Sequence, residues 1–239
     1  MLTPVRRRGV EILDDPGVDP VIRERSVGDI VKSNVVFGGL RAAADAVRDA
    51  LRDHDEREGA SIATLLDVGT GLADIPEHAR DEASRSGIML TTVGVDEAAS
   101  LLVASRDRLS FAVCARADAL PFRDDSIDVV MCSQLLHHFE NAHAARVVGE
   151  LDRVARRIVI VSDLRRSWLA AGGFWLASFA LGFHPVTRHD GVVSVMRGFT
   201  PGELSSIVTT ATARVPVVRQ RLGFRLTAFW TTGERARAS

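Results

Sequence analysis

Apolar and polar positions divide the chain into two regimes. Through residues 20–53 apolar side chains recur at helical spacing, interrupted at Gly38-Gly39, which predicts an N-terminal helical region. The charged run 52–61 reads as a solvated linker. From residue 62 the pattern changes to short apolar runs at 62–68, 88–96, 110–118, 126–133 and 157–164, which predict five strands. Stretches of helical spacing at 74–86, 97–107 and 141–156 separate them. Near-continuous apolar runs spaced by helices belong to parallel strands covered on both faces. Right-handed crossovers then favour a doubly wound sheet.

The last quarter reads differently. Residues 200–211 predict a helix, with Thr200 at the N-cap, Pro201 at N1 and Glu203 at N3 as a capping box. Residues 213–220 and 223–232 predict two strands with a short joint at Arg221-Leu222, so the last strand runs antiparallel. The expected organisation is an N-terminal helical cap over 1–58 and an α/β domain over 59–239, with an insertion at 164–199.

That insertion holds sixteen residues without a charge, 168–183. A membrane-spanning helix needs about 20 apolar residues. The shortfall and the Gly172-Gly173 pair favour a buried or lid helix over contact with a membrane surface. Trp168, Phe174, Trp175, Phe179 and Phe183 are candidates to line an apolar pocket.

Composition narrows the function classes. The 239 residues carry 30 basic and 31 acidic side chains, a net charge of −1, and no basic motif interleaved with aromatics. Nucleic acid is therefore not an expected partner. With no tyrosine, a tyrosine base is excluded. Cys114 and Cys132 lie in strand-like runs and read as reduced core residues of a cytoplasmic protein, with no spacing that suggests a metal.

The candidate chemistry begins at 66-LDVGTGLAD-74. A dinucleotide turn reads G-x-G-x-x-G and sets a pyrophosphate on a helix N-terminus. Here Gly69 and Gly71 fill the first two positions, Asp74 takes the third, and Asp67 precedes the turn. Two carboxylates repel a pyrophosphate and favour a ligand bearing sulfonium and ammonium groups. Asp96, in 93-VGVD-96 and followed by Glu97, can accept the two hydroxyls of a ribose. Asp118 can take the amino group of an adenine while Ala119 and Leu120 pack on its ring. Three acids thus fall at three successive strand C-termini, where open α/β sheets bind ligands.

These stretches, with ADALPFRDDSIDVVMCSQLLHHF and the closing hairpin, resemble the class I S-adenosylmethionine-dependent methyltransferases, in particular those acting on quinones and small molecules. The resemblance spans residues 60 to 232. It implies a Rossmann-like seven-stranded sheet with an antiparallel last strand. It also implies S-adenosylmethionine as cofactor, with Gly69 and Gly71 beside the methionine part, Asp96 on the ribose, Asp118 and Ala119 around the adenine, and Ser133 and Gln134 facing the centre. The family commonly has glycine where Ala73 stands.

Methyl transfer to an oxygen can require a base, and histidine suits that role near neutral pH. His138, in the pair His137-His138, and His189, beside Asp190, are the candidates. Asp163 is a third, with a cap or loop role favoured. Because His137 and His138 are adjacent, one of them is expected to face the site. Lys32, Asn34 or Arg41 is a candidate to reach the cofactor's carboxylate. The expected function is O-methylation of an apolar phenol, quinone or polyketide-like hydroxyl. C-methylation of a quinone ring, a binding-only protein and a lipid-associated protein are the alternatives.

Overall fold

A computed structural model describes residues 3–7, 9–15, 17–58 and 62–233. Seven strands form one sheet in the order β3-β2-β1-β4-β5-β7-β6. They are β1 (Ile62–Val68), β2 (Met89–Asp96), β3 (Phe111–Cys114), β4 (Ile127–Ser133), β5 (Ala155–Leu164), β6 (Val217–Arg221) and β7 (Arg225–Thr231). Strands β1 to β5 pair in parallel, and β7 runs antiparallel to both β5 and β6. The order reverses between β1 and β4, so the ligand crevice of an open α/β sheet falls above their C-terminal ends.

Period-two alternation sends each strand's side chains to two cores. On one face Leu66, Val68, Val130, Cys132, Val159 and Val161 pack on α5 (Asn141–Val154) and α8 (Pro201–Thr212). On the other, Ala63, Leu65, Val129, Met131 and Ile160 pack on α2 (Gly39–Glu58) and α3 (Asp74–Arg85). Burial on both faces explains why the strands read as continuous apolar runs.

The sequence-based boundaries shift in instructive places. Helix α2 extends to Glu58, into the run expected to be a linker, and residues 59–61, where the domain boundary was drawn, lie outside the described residues. The inner face of α2, with Ala43, Val47 and Leu51, belongs to a sheet core. Strand β3 stops at Cys114, four residues before the expected end, because it is an edge strand with only β2 to pair with. Cys114 is accordingly exposed, contrary to the core assignment, whereas Cys132 is buried; both are free thiols. The closing hairpin turns through residues 222–224 rather than at Arg221-Leu222.

Local signals set the remaining helices. Thr200 and Glu203 form the expected capping box at the start of α8. Asp19 caps α1 (Pro20–Val36), whose first residue is proline. The insertion folds into two helices, α6 (Trp168–Ala180), capped by Ser167, and α7 (Pro185–Arg197), capped by the His184 ring. The His189-Asp190-Gly191 stretch lies within α7. Residues 4–7 and 9–15 form a strap across α7. Arg166 Nε donates to the Pro4 carbonyl at 2.8 Å, and Arg197 Nε and Nη2 donate to the Gly9 carbonyl at 3.0 and 2.6 Å. The Asp190 carboxylate accepts the Ile12 and Leu13 N–H groups at 2.8 and 2.9 Å.

Candidate active site

A cavity of about 620 Å³ lies over the C-terminal ends of β1, β4 and β5, roofed by the strap, α1, α6 and α7. One half is the glycine turn. Gly69 and Gly71 take φ values of +76° and +54°, a region that favours glycine. The Gly69 and Thr70 N–H groups donate to the Val95 carbonyl at 2.8 and 3.0 Å. The Gly71 N–H donates to Asp96 Oδ2 at 3.0 Å, and the Ala98 N–H to Asp96 Oδ1 at 2.9 Å. Asp96 therefore clamps the turn to the end of β2. Ala73, in place of the family's glycine, adopts a left-handed φ of +60° and is fully buried.

Asp67 is the electrostatic centre of this half. It is 2% exposed, and its Oδ1 has no hydrogen-bond partner. Burial pushes its carboxyl up to about 7, and the charges of Asp74 and Asp96 push the same way, while the Thr70 hydroxyl offsets part of the rise. A buried, orphaned carboxyl beside two further carboxylates suits a cationic ligand. The Ser133 Oγ, also lining the cavity, is likewise buried and unpartnered. These two orphaned oxygens fit the ammonium and sulfonium end of S-adenosylmethionine, with Asp67, Gly69, Gly71 and Ser133 as the residues that would hold it.

The adenosine side is more open. Glu97 is exposed, 3.9 Å from Arg116. Asp118 accepts both Arg116 Nε and Nη2 at 2.9 Å and pairs with His143 Nε2 at 2.9 Å. Arg116, with His143 adding to it, holds its carboxyl down at about 2 against the opposing effect of burial. The Asp118 side chain is thus occupied as it stands, and Ala119 beside it is exposed.

The other half of the cavity holds the histidines. His137 and His138 both line it, contrary to the expectation that only one would. His137 is 3% exposed, and its Nδ1 sits 2.7 Å from Asp163 Oδ1, which leaves Nε2 as its second ring nitrogen. The His137 N–H and the Leu164 N–H also donate to Asp163. Burial pushes the Asp163 carboxyl up, but His137 and these hydrogen bonds outweigh it and the net direction is down. Asp163, expected as a cap, instead orients His137. The register pairing Ser133 with Ser162 explains this, since it sets the ends of β4 and β5 side by side.

His138 differs in environment. Desolvation within the cavity, then the neighbouring His137 and Arg197, push its ring down to about 3, so it stays neutral at physiological pH. His189 lies on α7 outside the cavity lining, half exposed, with Nδ1 2.8 Å from Asp190. Asp190 itself lines the cavity and serves the strap.

Glu11, His137 and His138 form the one cluster among the described residues with metal-ligand spacing. Arg197 already sits in it, with Nη1 2.9 Å from Glu11 Oε1 and 3.4 Å from His138 Nδ1. The guanidinium is the cation this cluster holds. Neither Glu11 nor Arg197 was singled out in the sequence; they lie 186 positions apart, and no local spacing links them. Of the cationic and amide candidates, Asn34 lines the cavity and accepts from Gln134 Nε2 at 2.8 Å. Lys32 donates to the Leu181 carbonyl, and Arg41 is a surface residue near Asp45. Of the lid aromatics, Phe174 lines the cavity and Phe183 is buried, while Trp168, Trp175 and Phe179 are about half exposed and point outward.

Residues 66–160 match the family model described as a methyltransferase domain. The sheet order and the glycine turn agree with this match and with the resemblance to class I S-adenosylmethionine-dependent methyltransferases. No curated protein matches the chain. Solved structures share the fold at low identity. The plantazolicin methyltransferase, in complex with a triazolic desmethylPZN analog and SAH, is 11% identical over 90% of this chain and 92% of its own, with a TM-score of 0.69. The CurJ carbon methyltransferase is 11% identical over 91% of this chain and 62% of its own, with a TM-score of 0.63. Magnesium protoporphyrin IX methyltransferase from Synechocystis PCC 6803, with bound SAH, is 14% identical over 91% and 89%, with a TM-score of 0.55.

Proposed function

We propose that this enzyme transfers a methyl group to a hydroxyl of an apolar small molecule, and that His137 is the base. The observation that carries the reading is one continuous cavity, running from the Asp67 carboxyl to the His137–Asp163 dyad between apolar walls that include Ile30, Phe37, Phe174 and Val195. S-adenosylmethionine, when bound, supplies the electrophilic methyl group. Asp67 and Ser133 hold its cationic end, Asp96 its ribose, and Asp118 with Ala119 the adenine, once Arg116 swings away; Glu97 flanks this edge. The apolar half holds the acceptor, and the roof helps to keep water from it. Asp163 fixes the His137 tautomer with the proton on Nδ1, so Nε2 is free to take the acceptor's proton, and the carboxylate steadies the imidazolium that forms. His138, with its ring pushed down to about 3, is the weaker base. His189 supports the roof through Asp190.

The test is turnover with a panel of phenols and hydroxyquinones. His137→Ala and Asp163→Asn are each expected to lower kcat by about 10²- to 10⁴-fold, with calorimetric affinity for S-adenosylhomocysteine unchanged. Full turnover in both variants would remove the histidine base. The fold shared with a carbon methyltransferase supports a second reading, in which the same dyad deprotonates an activated ring carbon. Product NMR distinguishes an O-methyl from a C-methyl group.

A further inference from the structure

The outer face of α6 carries no charge and no covering element among the described residues. Trp168 and Leu169 are 48% and 61% exposed, Trp175 and Leu176 are 50% and 68%, and Phe179 is 49%. With the exposed Gly172 and Ala180 they recur every three to four residues, so they form a single stripe along one side of the helix. Soluble surfaces scatter apolar side chains singly; a contiguous stripe of this kind marks an interaction site.

Three cations border the stripe. The Arg7 guanidinium lies 5.6 Å from the Trp168 ring centroid. Lys32 Nζ donates to the Leu181 carbonyl at 3.0 Å and lies 5.9 Å from the Phe183 ring. The Arg188 guanidinium stacks 3.5 Å over the Phe179 ring. Among the described residues none of the three has a carboxylate within ion-pair distance, whereas Arg48, Arg108, Arg116, Arg153 and Arg197 all do. Asp29, one turn from Lys32, is engaged by the His184 N–H and the Thr187 hydroxyl.

We infer that α6 docks in the plane of an anionic lipid surface. An uncharged aromatic and leucine face bordered by unpaired cations is the arrangement that seats a helix at the level of lipid headgroups. Its 13 residues make a helix of roughly 20 Å, well short of a bilayer core of about 30 Å, so it lies on the surface rather than crossing it. A second copy docked isologously through it would bring like cations near one another. On its inner side the same helix lines the cavity with Ala170, Gly173 and Phe174. Docking therefore sets the cavity beside the apolar phase. That an acceptor enters from this phase rests on the function proposed above; the docking does not.

The test uses the full chain with phosphatidylcholine vesicles, with and without phosphatidylglycerol. Of the three tryptophans, Trp230 is buried at 4% exposure, so fluorescence reports on Trp168 and Trp175. The expected result is co-sedimentation with the phosphatidylglycerol vesicles, a blue shift of emission and release at high salt. Trp175→Glu with Leu176→Glu is expected to weaken binding at least tenfold while the melting temperature and circular dichroism are kept. Absence of binding to both vesicle types overturns the inference. So does undiminished binding by the folded double variant, or a concentration-dependent dimer that the same variant abolishes. None of these readouts requires an acceptor or turnover, so they fail independently of the proposed reaction.

Discussion

At Asp67 the protein carries a charge question that its ligand answers. In the free enzyme burial holds this carboxyl at about 7, against 3.8 for the unfolded chain. The native state therefore binds the extra proton between those values. Stability falls as pH rises through that window, by at most about 1.4 kcal/mol per pH unit. A cationic ligand reverses the preference, because the ionised carboxylate is the form it attracts. Affinity for S-adenosylmethionine is expected to climb toward about tenfold per pH unit below pH 7 and to level off above it. Calorimetry in buffers of different ionisation enthalpy should detect about one proton released per ligand near pH 6 and almost none near pH 8. Asp67→Asn should abolish the pH dependence and weaken binding at every pH. A pH-independent affinity in the unmodified enzyme would remove Asp67 from the ligand's path. The acids of the turn were legible in the sequence because they stand next to the glycines. Their protonation was not, since it depends on burial set by the whole fold.

The lid helices show how one element can be read correctly in kind and wrongly in orientation. A charge-free run of sixteen residues signals a helix or strand without saying which face turns inward, because every position but Ser178 is apolar or glycine. Neighbours decide it. A Cβ at Gly191 would stand 2.1 Å from Phe174 Cε1, so α6 and α7 approach where α7 has no side chain, and this turns Phe174 toward the cavity. Gly191→Ala is expected to destabilise the protein by about 1–3 kcal/mol through overpacking, or to push Phe174 into the acceptor half. Differential scanning calorimetry measures the first, and a raised KM for the acceptor with unchanged cofactor affinity measures the second. By contrast three of the five parallel strands, β1, β2 and β4, were legible to within one residue. Burial on both faces leaves a long apolar run with sharp polar ends. The capping box of α8 was equally legible, since its two partners stand three residues apart.

On the scale of the molecule, the roof is held by contacts that no local pattern encodes. Arg197, on α7, reaches Glu11 at 2.9 Å, Asp14 at 3.3 Å and the Gly9 carbonyl, drawing the strap over the cavity. Burial pushes the Glu11 carboxyl up, and Ser194, His137 and Arg197 offset only part of that rise. The residues joined here are more than 180 positions apart, so only the folded topology brings them together. Removing the guanidinium leaves a buried carboxyl without its counter-ion, a change that costs about 3–5 kcal/mol where the charge stays fully buried. Glu11 has an alternative, because the strap can lift and return it to water. Arg197→Met is therefore expected to open the roof rather than unfold the sheet. Hydrogen exchange should accelerate at residues 9–15 and along α7, while amides of β1, β4 and β5 keep their protection. Turnover should fall as water enters the cavity, with little change in the affinity of S-adenosylhomocysteine, whose proposed contacts lie on the glycine turn and β4. Arg197→Lys, which keeps the charge but loses the fork, should recover part of the protection. If exchange rises uniformly across the sheet instead, the strap is a structural part of the core and not a separable cover.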